Sequence, residues 1–120
     1  MAGIVFLGTK KIKEISEFYI ARAGCVLWLD QGGCRVFKHG NLLLGFCGRD
    51  FADICGVITF FFETDREVDG AYRRLEDVAT TKPKFNPKYD IYHFFATDPE
   101  GRAVEFQSFR GKIDHDFGKD

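Results

Sequence analysis

The sequence predicts an α+β fold made of two βαβββ modules. Three observations carry that expectation. The hydrophobic period switches along the chain in the order strand, helix, three strands, and then does so again. The second pass ends on a well-specified antiparallel hairpin, Asp90 to Phe109 (DIYHFFATDPEGRAVEFQSF). And 120 residues, 45% hydrophobic and 16% aromatic, suffice for one domain with a core and are too few for two ordinary ones. The expected organisation is a single domain over 1–120, with an internal repeat of 4–47 and 57–109.

Taken in order, Ile4 to Thr9 (IVFLGT) reads as a strand, and KIKEISEFYIARAG as an amphipathic helix. Ile12, Ile15, Phe18, Tyr19 and Arg22 or Ala23 recur at helical spacing, with Gly24 as the stop. Cys25 to Gln31 is the next strand. Gly32-Gly33 is a hairpin turn into Cys34 to Lys38, and Gly40-Asn41 turns the chain into Leu42 to Cys47. Gly48 to Cys55 is polar enough to connect. Val57 to Glu63 (VITFFFE) opens the second copy, and Thr64-Asp65 offer an N-cap to a helix from about Arg66 to Ala79 with Val68, Ala71, Tyr72 and Leu75 on its apolar stripe. Thr80 to Lys88, with Pro83 and Pro87, is a loop holding at most a short edge strand near Lys84-Phe85. In the closing hairpin, Ile91 to Ala96 and Ala103 to Phe109 flank Asp98-Pro99-Glu100-Gly101. There Pro99 presets φ, Gly101 accepts a positive one, and the Asp98 side chain reaches the amides beyond it.

Charge is balanced, with 17 basic and 18 acidic residues, so nothing marks a nucleic-acid or anionic-membrane partner. No apolar run approaches the roughly 20 residues of a membrane helix, and the start lacks a charged-then-apolar leader, so a soluble cytoplasmic protein is expected. Cys25, Cys34, Cys47 and Cys55 match no zinc spacing, and free buried thiols are expected over disulfides.

Glu105 is the residue that asks for a function. A carboxylate on a strand this apolar usually points into water. Alternation instead places it with Ala103 and Gln107 on one face, beside His93 and Phe95 of the partner strand, so that Glu105, Gln107, His93 and Phe95 are expected to line a pocket.

Three segments resemble the vicinal oxygen chelate superfamily, which includes glyoxalase I, extradiol dioxygenases and bleomycin-binding proteins. Ser16 to Gly24 (SEFYIARAG) resembles its first helix end, TDREVDGAYRRLED its second helix, and FFATDPEGRAVEF its closing hairpin; the match covers residues 4 to 109. The resemblance implies a curved, barrel-like mixed sheet with the helices outside, the glyoxalase/bleomycin-resistance fold, and commonly a homodimer. It also implies a metal site with one His, Glu or Gln from the first and fourth strand of each module. By register from the helix starts those positions are Ile4, Ile58, Gly45 (or Phe46) and Glu105. Only Glu105 is a ligand type, so neither metal nor other cofactor is expected.

The cavity is then expected to be lined by Ile4, Phe6, Ile58, Phe60, Phe62, Phe95 and Trp28, with Glu105, His93 and Gln107 as its polar points. The first functional reading is a metal-free small-molecule binding protein that sequesters or senses an aromatic or amphipathic ligand, as bleomycin-resistance proteins do. The second is a glyoxalase-like lyase or isomerase in which Glu105 and His93 are acid and base. A metal-dependent enzyme with a non-standard site from His93, Glu105 and Cys47 is a further variant. The last is an interaction module using the tail beyond Phe109, where Ile113 and Phe117 are apolar and His115 is expected to be exposed.

Overall fold

The computed structural model describes residues Ala2 to Gly111; Ile113, His115 and Phe117 lie outside the described residues. Hydrogen bonding divides the strands into two four-stranded sheets, and the chain clusters into two compact units, one up to Ile54 and one from Cys55.

The first unit runs β1 (Ile4–Thr9), α1 (Ile12–Glu17), β2 (Val26–Asp30), β3 (Cys34–His39) and β4 (Leu42–Gly48), in sheet order β1-β4-β3-β2. β1 and β4 are parallel; the other neighbours are antiparallel. The predicted helix is present, but its second half, Phe18–Arg22, widens into a π-helical turn that ends where Ala23 donates to the Phe18 carbonyl and Gly24 takes φ 87°. The widened turn still buries Phe18 and Tyr19. Tyr19 lies 5.0 Å from Phe46 and 6.4 Å from Phe37, and with Ile15 these rings form the helix-side core.

The second unit repeats the order: β5 (Val57–Phe62), α2 (Asp65–Leu75), a 3-10 turn over Glu76–Val78, β6 (Lys84–Asn86), β7 (Ile91–Thr97) and β8 (Ala103–Phe109), with sheet order β5-β8-β7-β6. Here β5 and β8 are the parallel pair. Thr64 caps α2 by accepting from the Glu67 amide at 3.2 Å while its hydroxyl donates to the Glu67 carboxylate at 2.9 Å. The helix stripe of Val68, Ala71 and Leu75 is buried over a stack of Phe60, Phe106 and Phe94, with Tyr72 edge-on to Phe94.

The hairpin turn forms as its residues dictate. Asp98 Oδ1 accepts from the amides of Glu100 (2.8 Å) and Arg102 (3.1 Å), and Gly101 sits at φ 85°. The Arg102 guanidinium is buried between the carboxylates of Asp98 and Glu100. Burial alone would lower its pKa, but the bonds to Glu100 and Asp98 hold it above the ordinary value.

The cysteine expectation needs correcting. Cys34 and Cys47 are disulfide-bonded, while Cys25 is a buried free thiol and Cys55 an exposed one. The two half-cystines are directly opposed residues of β3 and β4, a register that the 13-residue spacing does not reveal. Cys25 behaves as expected of a buried thiol, its pKa pushed up to about 12 by desolvation. Among the described residues no helix is long and apolar enough to cross a membrane.

Candidate functional site

The sheet of the second unit has one face against α2 and one face free of it, and strand parity sorts the side chains between them. Ile58, Phe60 and Phe62 pair with Val104, Phe106 and Ser108, the helix-side set of β8. Thr59 and Phe61 pair with Glu105 and Gln107 on the other face, and Phe61 meets Phe109 edge-on there. Across β7, Phe95 lies opposite Glu105, and His93 opposite Gln107.

On that face is a cavity of about 490 Å³, lined by Asn86, Tyr89, Ile91, His93, Phe95, Glu105, Gln107 and Phe109. Its wall is mostly apolar, and three of its polar residues, His93, Glu105 and Gln107, occupy neighbouring positions of β7 and β8. Glu105 Oε1 accepts from Thr59 Oγ1 at 2.9 Å, and Oε2 lies 2.6 Å from His93 Nδ1. A carboxylate can only accept, so Nδ1 carries the hydrogen and Nε2 of a neutral imidazole is left as an acceptor. The His93 ring is edge-on to Phe95 at 5.3 Å, which fixes its plane. His93 is 6% exposed and Gln107 8%, yet neither Nε2 nor the Gln107 amide has a hydrogen-bond partner among the described residues. Two sheltered polar groups on facing strands, with no partner among the described residues, are available to a ligand.

The structure therefore brings together Glu105, His93, Gln107 and Phe95 and separates the other expected residues from them. Phe60 is 1% exposed and stacked on Phe106, and Phe62 is stacked on the same ring, so both belong to the helix-side core and not to the cavity. Their assignment was one residue out of register. Three consecutive phenylalanines, 60 to 62, hide the alternation that would have settled which of them faces which way. Phe6 and Trp28 are half-exposed residues of the first unit, on β1 and β2, and do not line this cavity. Trp28 sits where β2 slips against β3 between Leu27 and Leu29, so parity could not place it.

The one-residue difference seen at Phe60 and Phe62 also affects the positions expected to hold a metal. Glu105 is registered with Thr59 and not with Ile58, and the equivalent pair of the first sheet is Phe6 and Gly45, so Ile4 is also displaced. A Cβ added to Gly45 would fall within the Phe6 ring, which occupies the space where a ligand side chain would extend. Phe6, Gly45 and Thr59 do not supply the donors of a divalent site, and Thr59 is already bonded to Glu105. Cys47 is held in the disulfide and is not available beside His93 and Glu105. Among the described residues no three His, Cys, Asp or Glu side chains are grouped to hold an ion. The residues present do not fit the metal that the fold implies.

Two four-stranded mixed sheets, each formed from a βαβββ unit with one helix, define an α+β protein of a recognisable class. No protein-family model matches the chain, and no curated protein matches it. Solved structures do. A glyoxalase/bleomycin resistance protein/dioxygenase family enzyme from Burkholderia phytofirmans PsJN superposes with a TM-score of 0.75 at 18% identity, covering 88% of this chain and 95% of that one. Lactoylglutathione lyase from Agrobacterium tumefaciens gives 0.72 at 21% identity over 90% and 92%. An integron cassette protein from the mobile metagenome of the Halifax Harbour sewage outfall gives 0.76 at 18% identity over 91% and 98%. The chain has the fold of these glyoxalase/bleomycin resistance protein/dioxygenase structures.

Proposed function

We propose that the second unit is a metal-independent small-molecule binding site whose ligand has a planar aromatic or otherwise apolar body and a polar head. The observation that carries this reading is the pair His93 Nε2 and Gln107, sheltered at an apolar wall and without a hydrogen-bond partner among the described residues. A head group that donates to Nε2 and bonds the Gln107 amide would satisfy both, and leaving such a group unpaired on burial costs about 1–3 kcal/mol. Phe95, Phe109 and Tyr89 supply ring faces and edges for the body, each ring pair being worth about 0.5–1.5 kcal/mol beyond its buried area. Glu105 acts through His93, because both its oxygens already have protein partners. Two of the similar structures carry names that refer to small organic molecules, bleomycin and lactoylglutathione, which agrees with such a site.

The test is calorimetric titration with planar probes bearing hydroxyl, keto or amide groups, in the presence of a chelator. Binding is expected without added metal. Gln107→Leu should weaken it about tenfold, the equivalent of one lost hydrogen bond, and Phe95→Ala should weaken it severalfold, with both variants still cooperatively folded. Unchanged affinity in both would remove this face from the binding site, and binding that appears only on adding a divalent ion would overturn metal independence.

A further inference from the structure

We propose that this cavity is catalytic toward enolisable ketones: His93 Nε2 is the general base that takes a proton from the carbon beside the carbonyl, and Gln107 holds the oxygen that becomes negative. The inference rests on the binding reading above and extends it to a reaction.

Thr59, Glu105 and His93 form a hydrogen-bonded chain. The Thr59 hydroxyl donates to one carboxylate oxygen and the other receives Nδ1–H, over separations of 2.9 and 2.6 Å. Such a carboxylate does two things to an imidazole. It fixes the tautomer with the lone pair on Nε2, and it stabilises the imidazolium formed when Nε2 takes a proton. Thr59 occupies the second carboxylate oxygen, so Glu105 cannot turn away from the ring without losing a bond. The His93 ring also lines the cavity, which a purely structural ion pair does not require. Gln107 on β8 and Lys84 on β6 both lie in register with His93; of the two, Gln107 lines the cavity, and its amide N–H groups have no partner among the described residues.

The step balances without a co-reactant. Nε2 forms a bond to the α-hydrogen, the C–H pair becomes the carbon–carbon π bond, and the carbonyl π pair moves to oxygen, where the Gln107 N–H stabilises it. The imidazolium then returns the proton. Return to the same carbon gives exchange, and return to a conjugated carbon gives the shifted isomer. No bond to a leaving group is broken and nothing is oxidised or reduced. The substrate class is an aryl or otherwise apolar ketone with an acidic α-hydrogen. His93 and Gln107 are the catalytic residues; Glu105 and Thr59 are positioning residues.

The experiment is proton NMR of phenylacetone, β-tetralone and 4-hydroxyphenylacetone in deuterated buffer with chelator, reading loss of the α-proton signal, with dissociation constants measured separately. Wild type is expected to accelerate exchange at least a hundredfold over buffer, within the usual range of general-base catalysis. His93→Ala should abolish the acceleration, and added imidazole should restore part of it, which a structural role for His93 would not produce. Glu105→Gln should lower the exchange rate about tenfold or more while the dissociation constant changes little. Ketones that bind but exchange no faster than in buffer would overturn the catalytic inference and leave the binding site standing. Acceleration that survives in His93→Ala without imidazole would also overturn it. If none of the three ketones binds, the catalytic inference falls, while the binding reading is decided separately by the hydroxyl and amide probes of the calorimetric titration.

Discussion

Glu105 shows how one residue's role follows from its neighbours. In isolation it is a carboxylate able to hold a cation or a metal, and in the sheet it is an acceptor already engaged by Thr59 and His93. In the proposed site the group left for a ligand is therefore the imidazole nitrogen behind it. The corresponding position in the first sheet, Gly45, carries the opposite solution: the Phe6 ring lies over its Cα, so that even a methyl there would collide. Gly45→Ala should destabilise the protein by about 1 kcal/mol, the low end of the overpacking range because Phe6 is half exposed and can swing aside. Adding Phe6→Ala should remove the penalty. Chemical denaturation of the two singles and the double checks this, and strictly additive losses would show that ring and glycine do not meet.

At the scale of elements, the closing hairpin was legible because local chemistry decides it. Pro99, Gly101 and the Asp98 carboxylate act over five residues, and the observed bonds are those a turn with these residues makes. What local reading missed is that Asp98 also holds Arg102, whose side chain is buried. Asp98→Ala should therefore cost about 3 kcal/mol, beyond the loss of a turn cap, because it strips one partner from a buried charge. Asp98→Asn, which keeps the acceptor for the two amides, should cost less. A denaturation midpoint for Asp98→Ala within error of wild type would show that Glu100 alone suffices for Arg102. The first helix was legible in position but not in form. Its apolar spacing predicts a helix to Gly24, and the π-widened turn over Phe18–Arg22 depends on how Tyr19 seats against Phe37 and Phe46.

For the whole molecule, the disulfide is the correction with the largest consequence. Closing Cys34 onto Cys47 removes conformations from the unfolded chain, and for a loop of this length the entropy model gives roughly 3 kcal/mol. A dithiol reductant should lower the melting temperature of wild type and leave Cys34→Ser/Cys47→Ser unmoved; an unchanged wild type would show the bond to be absent in solution. Alkylation of the native protein should modify Cys55, which is exposed, and spare Cys25, whose thiol is buried with its pKa at about 12. The element order, the presence of both helices with the Gly24 stop and the Thr64 cap, the hairpin and the face shared by His93, Phe95, Glu105 and Gln107 were readable from the chain alone, because hydrophobic period and turn chemistry act over a few residues. The tertiary structure alone decided the pairing of β5 with β8, which replaces Ile58 by Thr59 and turns Phe60 and Phe62 to the helix side, and the pairing of β3 with β4, which joins Cys34 to Cys47. Register between strands distant in sequence is set by packing, and a shift of one residue exchanges the two faces of a strand.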